Sequence, residues 1–363
     1  MSPAIEEIEA RAYRIPTDRS ESDGTLRWMA TEMVLVRVRA DGAAGLGYSY
    51  TQAHAAAALV RDTLAPVALN HDAFDLPALW RKLNVMLRNI GRPGLGMMAL
   101  AALDIALWDL KARLLQLPLA ALWGRARTTV PLYASGGFTS YADAELQAQL
   151  GGWAAQGFKA MKIKVGSDPR DDPRRVQLAR ESIGPAPELM VDANGAYTQA
   201  QALGLARQFA ECGVSWFEEP VSSDDLDGLR ALRQLAPPGL SIAAGEYGWD
   251  GIYFRRMLEA RAVDILQADA TRCGYTGFLQ AAALCESHGT PLSAHCAPAI
   301  HAPVCATVGC FKHLEYFHDH QRIEAQFFDG VPQVRDGELQ PPQDVHGHGL
   351  TLREDQVAPY RIG

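Results

Sequence analysis

The chain has 363 residues, of which 48% are hydrophobic and 21% charged, with a formal net charge of −8. This length predicts two domains or one large barrel, and the acidic balance argues against a nucleic-acid-binding protein. A signal peptide and a membrane span are not expected, and six cysteines without a Cys-x-x-Cys pair predict reduced thiols in a cytoplasmic protein.

The first part of the chain mixes strand and helix patterns. Residues 4–15 alternate loosely, and the segments TEMVLVRVRADG and AAGLGYSYT predict a hairpin that turns at Asp41-Gly42. The polar segment TDRSESDGTLRWMATE is expected to be a loop that closes over an active site, with an ordinary solvated loop as the alternative. The segment MMALAALDIALWDLKARLLQ predicts a helix with an apolar face.

After about residue 128, short apolar runs alternate with helical segments. The runs are VPLYAS, AMKIKV, ELMVDAN, VSWFEEP, LSIAAGE, VDILQAD, TPLSAHC and HLEYF. This alternation predicts parallel strands with helical crossovers. Eight such units favour a (β/α)8 barrel, and a doubly wound open sheet is the alternative. From about Ile323 the sequence returns to short strand and turn signals, and this segment is expected to pack on the N-terminal part.

Polar or ionisable side chains end nearly every predicted strand from the second onward. They are Lys162 and Lys164, Asp192 with Asn194, Glu218 and Glu219, Glu246, Asp269, His295, and Glu315. One of them alone would be interpreted as a helix cap or a surface charge. A whole ring of them at the C-terminal face of a barrel, where catalytic groups collect, indicates an active site.

Three carboxylates in this ring predict a metal site. Asp192, Glu218 and Glu246 end consecutive strands and should converge, and they would repel one another unless a cation shares the site. Oxygen ligands alone suit Mg2+ better than Zn2+. Glu219 competes with Glu218 as the ligand, since adjacent strand residues face opposite ways. The register with Asp192 and the following Pro220 favour Glu218.

The remaining charged residues in the ring predict acid/base chemistry. Asp269 and His295 end neighbouring strands, so the carboxylate can orient the imidazole and leave its other nitrogen as a general base. Across the ring, Lys164 could act as a base if the cation lowers its pKa, while Lys162 could stay charged and neutralise a substrate carboxylate. Glu315 could donate a hydrogen bond to that carboxylate if its surroundings raise its pKa.

In the residues of this ring, the chain resembles the mandelate racemase subgroup of the enolase superfamily. The resemblance rests on the helix ALAALDIALWDLKARLLQLPLAALWG and on the motifs KIK, DAN, EEP, GE, AD and SAHC at the expected spacings. It implies an α+β capping domain over residues 1–127 and a modified TIM barrel, (β/α)7β, over residues 128–320. Residues 321–363 would form a C-terminal segment that packs back on the cap.

The resemblance also implies a chemistry, in which the proton next to a carboxylate is abstracted and the resulting enediolate is stabilised. Mg2+ would be held by the three carboxylates named above. Lys164 and the His295–Asp269 pair would be the acid/base groups on opposite sides of the substrate. Lys162 and Glu315 would polarise the substrate carboxylate. One departure is Cys273-Gly274, where the family often has a Gly-Gly pair, so a difference in the shape of that loop is expected.

Racemases, sugar-acid dehydratases and cycloisomerases share this pattern of residues. Because a base is expected on each side of the substrate, none of the three reactions is excluded. Polar and aromatic residues near the site are expected to bind the substrate: Asn194, Arg19, Trp28, Tyr48 and Tyr247. Arginines and tyrosines suit a polyhydroxylated and possibly diacidic substrate, and sugar acids are the family's commonest substrates. The preferred hypothesis is dehydration of an aldonate or aldarate to a 2-keto-3-deoxy acid. A racemase or epimerase of a 2-hydroxy acid and a cycloisomerase of a sugar lactone or anhydro sugar acid are the alternatives.

Two functions of other classes stay open. A Schiff-base aldolase would use an inward lysine but would not need three converging carboxylates. A non-catalytic sugar-acid binder would not need every catalytic position to be filled. The expected partners are a small carboxylate substrate and further copies of the chain in a homo-oligomer, with neither nucleic acid nor membrane.

Overall fold

An antiparallel sheet and a layer of helices form the N-terminal part of the chain in the computed structural model, which describes residues 2–363. The strands are β1 (Glu7–Ser22), β2 (Arg27–Ala40) and β3 (Ala43–Tyr50). The helices are α1 (Ala53–Leu59), α2 (Ala65–Ala68), α3 (Leu76–Met86), α4 (Leu95–Leu114) and α5 (Leu119–Trp123), with a π-helical turn at Val60–Leu64. Asp41 and Gly42 both have positive φ, 46° and 74°, which confirms the predicted tight turn between β2 and β3.

Strands β1 and β2 pair far beyond their apolar residues. After an irregularity between Pro16 and Glu21, Glu21 pairs with Trp28 and Ser22 with Arg27. The segment was predicted to be a long polar loop, and that prediction is wrong, because the segment is the end of a β-hairpin with a short turn. Its polar sequence gave no strand signal, since neighbouring loops rather than an apolar face hold it. Residues 20–28 are called the hairpin tip below.

Helix α4 lies directly on strand β3. A Cβ atom on Gly47 would lie 2.3 Å from the carbonyl oxygen of Ala102, and one on Gly45 would lie 2.1 Å from that of Ala106. Only glycine permits this close approach of helix to strand. The helix is buried on most sides rather than on one face, because β3 covers one side and the barrel covers another.

Eight parallel strands form the second part of the chain. They are β4 (Val130–Gly136), β5 (Ala160–Lys164), β6 (Glu188–Asp192), β7 (Val214–Glu218), β8 (Ser241–Ala244), β9 (Ile265–Ala268), β10 (Leu292–Ala294) and β11 (Phe311–Phe317). Between them lie α6 (Asp143–Ala155), α7 (Asp172–Ile183), α8 (Gln199–Glu211), α9 (Leu226–Leu235), α10 (Gly251–Glu259), α11 (Ala270–His288) and α12 (Pro298–Cys305). Strand β11 pairs in parallel with β4 and closes the barrel. The predicted (β/α)7β barrel is confirmed, and the open sheet is wrong.

A buried carboxylate of α4 joins the first part of the chain to the barrel. Asp104 is 2% exposed and accepts hydrogen bonds from the backbone N–H of Thr276 at 2.9 Å and from its hydroxyl at 2.7 Å. Burial raises the pKa of Asp104 to about 7. Gly274, the second residue of the Cys273-Gly274 departure noted in the sequence, has a φ of 68°, and a Cβ there would lie 2.5 Å from the Asp104 carboxylate.

The last part of the chain returns to the first. Helix α13 (His318–Phe327) follows β11, and residues 323–327, expected as strand and turn, are its C-terminal end. Then come β12 (Phe328–Asp329), β13 (Val334–Arg335), β14 (Glu338–Leu339), β15 (Thr351–Leu352), α14 (Glu354–Val357), a 3-10 turn (Ala358–Tyr360) and β16 (Arg361–Ile362). The helix was missed because its buried face is short: Ile323 and Phe327 lie four residues apart on one side.

Strand β16 pairs with β1 through Ala12 and Ile362, so the end of the chain adds an edge strand to the N-terminal sheet. The β13–β14 hairpin instead pairs with β4 of the barrel. Among residues 2–363, no helix is both long and apolar enough to cross a bilayer.

Candidate active site

Three carboxylates meet at the C-terminal end of the barrel. Asp192 and Glu218 are the last residues of β6 and β7 and pair in register, and Glu246 follows β8. Their oxygen atoms lie within 4.8 Å of one another, and all three side chains are buried. The Oε2 atom of Glu246 accepts no hydrogen bond from any described residue. This set of oxygens, called the carboxylate cluster below, fits the hard oxygen ligation that Mg2+ prefers.

Glu219 lies outside the carboxylate cluster. Its backbone has a φ of 39°, in the left-handed region, which turns its side chain out of the strand register. The side chain is buried and borders a neighbouring cavity together with Tyr247 and Arg272. The geometry thus brings Glu218, the residue favoured from the sequence, into the cluster.

Lys162 lies at the centre of a buried ionic network. Its Nζ is 2.6 Å from Glu218, 2.8 Å from Glu315 and 3.6 Å from Asp192, and the side chain is fully buried. The ring of Tyr133 lies below it, with Nζ 5.2 Å from the ring centroid. Burial alone would lower the pKa of Lys162, but Glu218 and Glu315 raise it well above its ordinary value. The lysine therefore stays charged.

Lys164, two residues along the same strand, is the lysine that borders the cavity. Its Nζ lies 2.5 Å from Asp192 and 3.2 Å from the Oδ1 atom of Asn194. Burial would lower the pKa of Lys164, but the Asp192 carboxylate raises it above its ordinary value. A cation on the carboxylate cluster would counter the charge of Asp192 and lower this pKa again. Lys164 is thus poised to exchange a proton when the cluster is occupied.

His295 and Asp269 are in contact, as expected from the sequence. Nδ1 of His295 lies 2.8 Å from Asp269, and Nε2 lies 3.2 Å from Glu246 and 3.6 Å from Glu315. The other oxygen of Asp269 accepts hydrogen bonds from the N–H and hydroxyl of Thr271, both at 2.7 Å. Burial would lower the pKa of His295, but Glu246, Glu315 and Asp269 raise it to about 9. Asp269 thereby fixes the ring and leaves Nε2 facing the cluster.

Glu315 differs from the expectation that its pKa is raised. Burial alone would raise it, but the charges of Lys162 and His295 lower the pKa of Glu315 well below its ordinary value. Its Oε2 accepts a hydrogen bond from the backbone N–H of Cys296 at 3.1 Å. The condition under which Glu315 could donate a hydrogen bond is therefore not met, because the positive charge of Lys162, 2.8 Å away, favours the ionised carboxylate. Glu315 accepts hydrogen bonds here rather than donating one.

A cavity of about 710 Å3 opens onto these groups. Lys164, Glu246 and His295 lie at its floor, and Asn194 and Tyr247 border it. One wall is aromatic and is formed by Trp28, Tyr50, Phe317 and His320. Among the predicted substrate-binding residues, Trp28, Asn194 and Tyr247 therefore line the cavity.

Two predicted substrate-binding residues do not line it. Tyr48 is fully buried, and its hydroxyl donates a hydrogen bond to Glu324 at 2.5 Å. It shares a face of β3 with Tyr50 but lies one pleat deeper, so Tyr50 reaches the cavity instead. Arg19 lies at the surface and forms an ion pair with Glu145 at the start of α6. The structure corrects both predictions.

Arg272 and His320 are among the cavity residues that were not found from the sequence. Arg272 lies in the first turn of α11, three residues after Asp269, with its guanidinium 4.7 Å from the ring centroid of Tyr247. That spacing from Asp269 is a signal that could have identified it. His320 stacks on Tyr50 with ring centroids 3.6 Å apart, and burial lowers its pKa to about 3. It lies beyond the last barrel strand, where the sequence carries no comparable signal.

The hairpin tip covers one side of this site. A Cβ on Gly24 would lie 2.5 Å from the carbonyl oxygen of Ala193 and 2.7 Å from that of Val165, which directly follow two of the site strands. The backbone N–H of Thr139 donates to the carbonyl of Ser22 at 2.8 Å, and their hydroxyls lie 2.7 Å apart. The tip is therefore closed onto the barrel loops, with glycine at the closest point.

Known proteins are similar to this chain over nearly its full length. Residues 22–124 match the family model described as mandelate racemase / muconate lactonizing enzyme, N-terminal domain, and residues 145–356 match that described as enolase C-terminal domain-like. The chain is 34% identical to 3,6-anhydro-alpha-L-galactonate cycloisomerase of Streptomyces coelicolor over 99% of this chain and 100% of that protein.

Solved structures agree with these matches. A mandelate racemase/muconate lactonizing enzyme-like protein from Rubrobacter xylanophilus has a TM-score of 0.96 and 51% identity over 99% of this chain and 100% of that one. The L-talarate dehydratase from Polaromonas sp. JS666, complexed with Mg and L-glucarate, has a TM-score of 0.91 and 30% identity, covering 100% of this chain and 98% of that one.

Proposed function

This chain belongs to the mandelate racemase / muconate lactonizing enzyme family of the enolase superfamily, and we propose that it dehydrates a sugar acid to a 2-keto-3-deoxy acid with Mg2+ as its cofactor. The observation that carries the proposal is the placement of two proton-exchanging groups on one cluster. Lys164 contacts Asp192 at 2.5 Å, and Nε2 of His295 lies 3.2 Å from Glu246. A substrate bound against the cluster therefore meets a base on either face.

The residues of this chain divide the work of the reaction. When bound by the carboxylate cluster, Mg2+ supplies positive charge that favours loss of the proton α to the substrate carboxylate. Lys162 stays charged and balances the negative charge that develops on the substrate carboxylate as the α-proton leaves. Lys164 or Nε2 of His295 accepts the α-proton, according to the configuration at C2. A protonated His295, stabilised by Asp269, gives a proton to the β-hydroxyl, which leaves as water.

A second candidate function is cycloisomerisation of an anhydro sugar acid or a sugar lactone. The aromatic wall of Trp28, Tyr50 and Phe317 favours it, since a ring-containing substrate exposes more apolar surface than an open-chain sugar acid. The cycloisomerase relative from Streptomyces coelicolor, which matches over nearly the full chain, also supports this candidate. Both reactions begin with the same abstraction of the α-proton.

Arg272 supports a diacidic substrate. Its guanidinium borders the cavity and stacks on Tyr247, and its nearest carboxylate, that of Asp269, is 4.0 Å away at the closest approach. The N–H groups of a guanidinium match a carboxylate in a bidentate arrangement. We propose that Arg272 binds the distal carboxylate of an aldarate.

Two further proposals concern the setting of the enzyme. All six cysteines are free thiols, which supports a reducing compartment such as the cytoplasm. We also propose a homo-oligomer, which is the expectation that the resemblance carries. Analytical ultracentrifugation tests the oligomer, and a single species of the monomer's mass would contradict it.

A substrate screen tests the proposed reaction. Mono- and diacid sugars, sugar lactones and anhydro sugar acids are incubated with the enzyme and Mg2+; semicarbazide detects a 2-keto-3-deoxy product, and NMR in D2O detects exchange of the C2 proton. We expect His295→Asn to abolish dehydration while exchange on one face persists through Lys164. His288→Asn, at the C-terminal end of α11, is the matched control and should keep full activity.

Several outcomes would contradict the proposal. Unchanged turnover by His295→Asn would remove the histidine from the reaction. Borohydride trapping of substrate on Lys164, with activity that survives EDTA, would instead support a Schiff-base aldolase. A full panel left unchanged by the Mg2+-loaded enzyme would favour a sugar-acid binder.

A further inference from the structure

A second group of metal-binding side chains lies beside the carboxylate cluster. Sγ of Cys296 is 3.2 Å from Nε2 of His295 and 3.3 Å from Oε2 of Glu315, and Nε2 and Oε2 are 3.6 Å apart. One ligand atom from each residue lies within 4.8 Å of the others. These three residues, called the thiol site below, offer sulfur, nitrogen and oxygen, whereas the carboxylate cluster offers oxygen alone.

The backbone holds the thiol in this position. Cys296 and Ala297 have φ values of 54° and 41°, two consecutive non-glycine residues in the left-handed region. Such a conformation is unfavourable for residues with a Cβ and persists only where the surroundings impose it. The N–H of Cys296 donates to Oε2 of Glu315, so the turn and the carboxylate are fixed together. The thiol is 3% exposed, which protects it from bulk oxidants.

The surroundings complete the requirements of a zinc site. Nδ1 of His295 is held by Asp269 at 2.8 Å, the carboxylate–histidine arrangement that orients imidazole ligands of zinc. Lys162 contacts the other oxygen of Glu315, Oε1, which leaves Oε2 for an ion. Oε2 of Glu246, which accepts no hydrogen bond among the described residues, faces Nε2 at 3.2 Å. Three ligands beside an open cavity match the coordination of Zn2+ in sites with a free fourth position.

We propose that His295, Cys296 and Glu315 form an inhibitory binding site for a thiophilic divalent cation such as Zn2+ or Cd2+. The ion binds the thiolate of Cys296, whose proton is released to solvent, and it occupies Nε2 of His295. Mg2+ does not compete for this site, because it takes oxygen ligands and avoids thiolate. Binding of the ion is independent of the proposed function, whereas the loss of activity rests on the proposed role of His295.

The first test measures binding without any substrate. The full-length protein, saturated with Mg2+, is titrated with Cd2+ or Co2+, and thiolate-to-metal charge-transfer absorption is recorded. We expect one site per chain in the wild type and loss of this absorption in Cys296→Ser. Cys212→Ser, which removes a half-buried thiol at the end of α8, is the matched control and should keep it. Thermal unfolding confirms that each variant is folded.

The second test measures inhibition. Zn2+ is added to the Mg2+-saturated enzyme, and each variant is compared with its own rate without Zn2+. Loss of a metal's outer-shell partner alone weakens its binding about 10- to 100-fold, so removal of the thiol ligand should raise the half-inhibitory Zn2+ concentration by about tenfold or more. An unchanged half-inhibitory concentration in Cys296→Ser would overturn the proposal. Inhibition relieved by Mg2+, without charge-transfer absorption in the wild type, would also overturn it by placing Zn2+ on the carboxylate cluster.

Discussion

Replacement of Lys162 by methionine isolates the role of one buried charge. The ammonium group contacts Glu218 at 2.6 Å and Glu315 at 2.8 Å, and none of it reaches solvent. Methionine keeps an unbranched chain of similar length, so the change removes charge with little change in shape. Removal of one partner from a buried ion pair costs about 3–5 kcal/mol, since the other charge is left uncompensated. We expect Lys162→Met to lose this much free energy of unfolding when no divalent cation is present.

Thermal unfolding in EDTA measures this loss. The unfolding entropy of globular proteins is about 2 cal/mol/K per residue, so for this chain a loss of 3–5 kcal/mol corresponds to a fall in Tm of roughly 4–7 °C. With Mg2+ the difference should shrink, because the cation replaces the missing positive charge. For the same reason, the variant should bind Mg2+ more tightly than the wild type while its activity falls.

A second lysine provides the control. Lys159 lies just before the same strand and is exposed, so Lys159→Met should change stability by no more than about 0.5 kcal/mol. If Lys162→Met unfolded at the wild-type temperature in EDTA, the buried charge of Lys162 would not stabilise the carboxylates around it as described. If Mg2+ failed to narrow the difference, the cation would not bind at this cluster.

Three further predictions test other parts of the molecule. Gly47→Ala should lower the free energy of unfolding by about 1–3 kcal/mol, because its Cβ would lie 2.3 Å from the Ala102 carbonyl oxygen. Gly204→Ala in α8, which has open space around it, should raise that free energy by up to about 1 kcal/mol, and equal effects of the two changes in chemical denaturation would contradict the packing described. Burial raises the pKa of Asp104 from 3.8 to about 7, so the protonated carboxyl group stabilises the fold below pH 3.8 and this contribution is lost as the pH rises through 7. Asp104→Asn should therefore flatten the dependence of the free energy of unfolding on pH in this range. Arg272→Gln should raise KM for a diacid by about 10- to 150-fold with a smaller effect on kcat, and a monoacid should be unaffected.

The ring of charged residues at the C-terminal end of the barrel could be predicted because topology alone brings strand ends together. Lys162, Asp192 and His295 are far apart in the sequence, yet each closes an apolar run, and a parallel barrel places all such positions on one rim. The identity of the residues then indicated the chemistry. This reasoning needs only the order of the strands, which the alternation of apolar runs and helical segments carries.

The sequence does not predict how deeply a side chain is buried or how close two charged groups lie in the fold. Tyr48 and Tyr50 share a face of β3, and only the packing of α13 decides which of them reaches the cavity. The lowered pKa of Glu315 depends on a lysine nitrogen 2.8 Å away. Arg19, with its polar neighbours, had the composition of a binding loop, but the backbone there continues as strand and turns its side chain to the surface.

The closed hairpin tip has a consequence for the timing of turnover. Gly24 lies against two carbonyl oxygens of the barrel loops, and Ser22 is hydrogen-bonded to Thr139, so the hairpin tip can move away from the barrel only when these contacts separate. Leu26 in the tip and the neighbouring Met29 border the active-site cavity, and both apolar side chains are exposed. We expect the release of product to include such a movement of the hairpin tip. A step of this kind slows with solvent viscosity even when the chemistry does not.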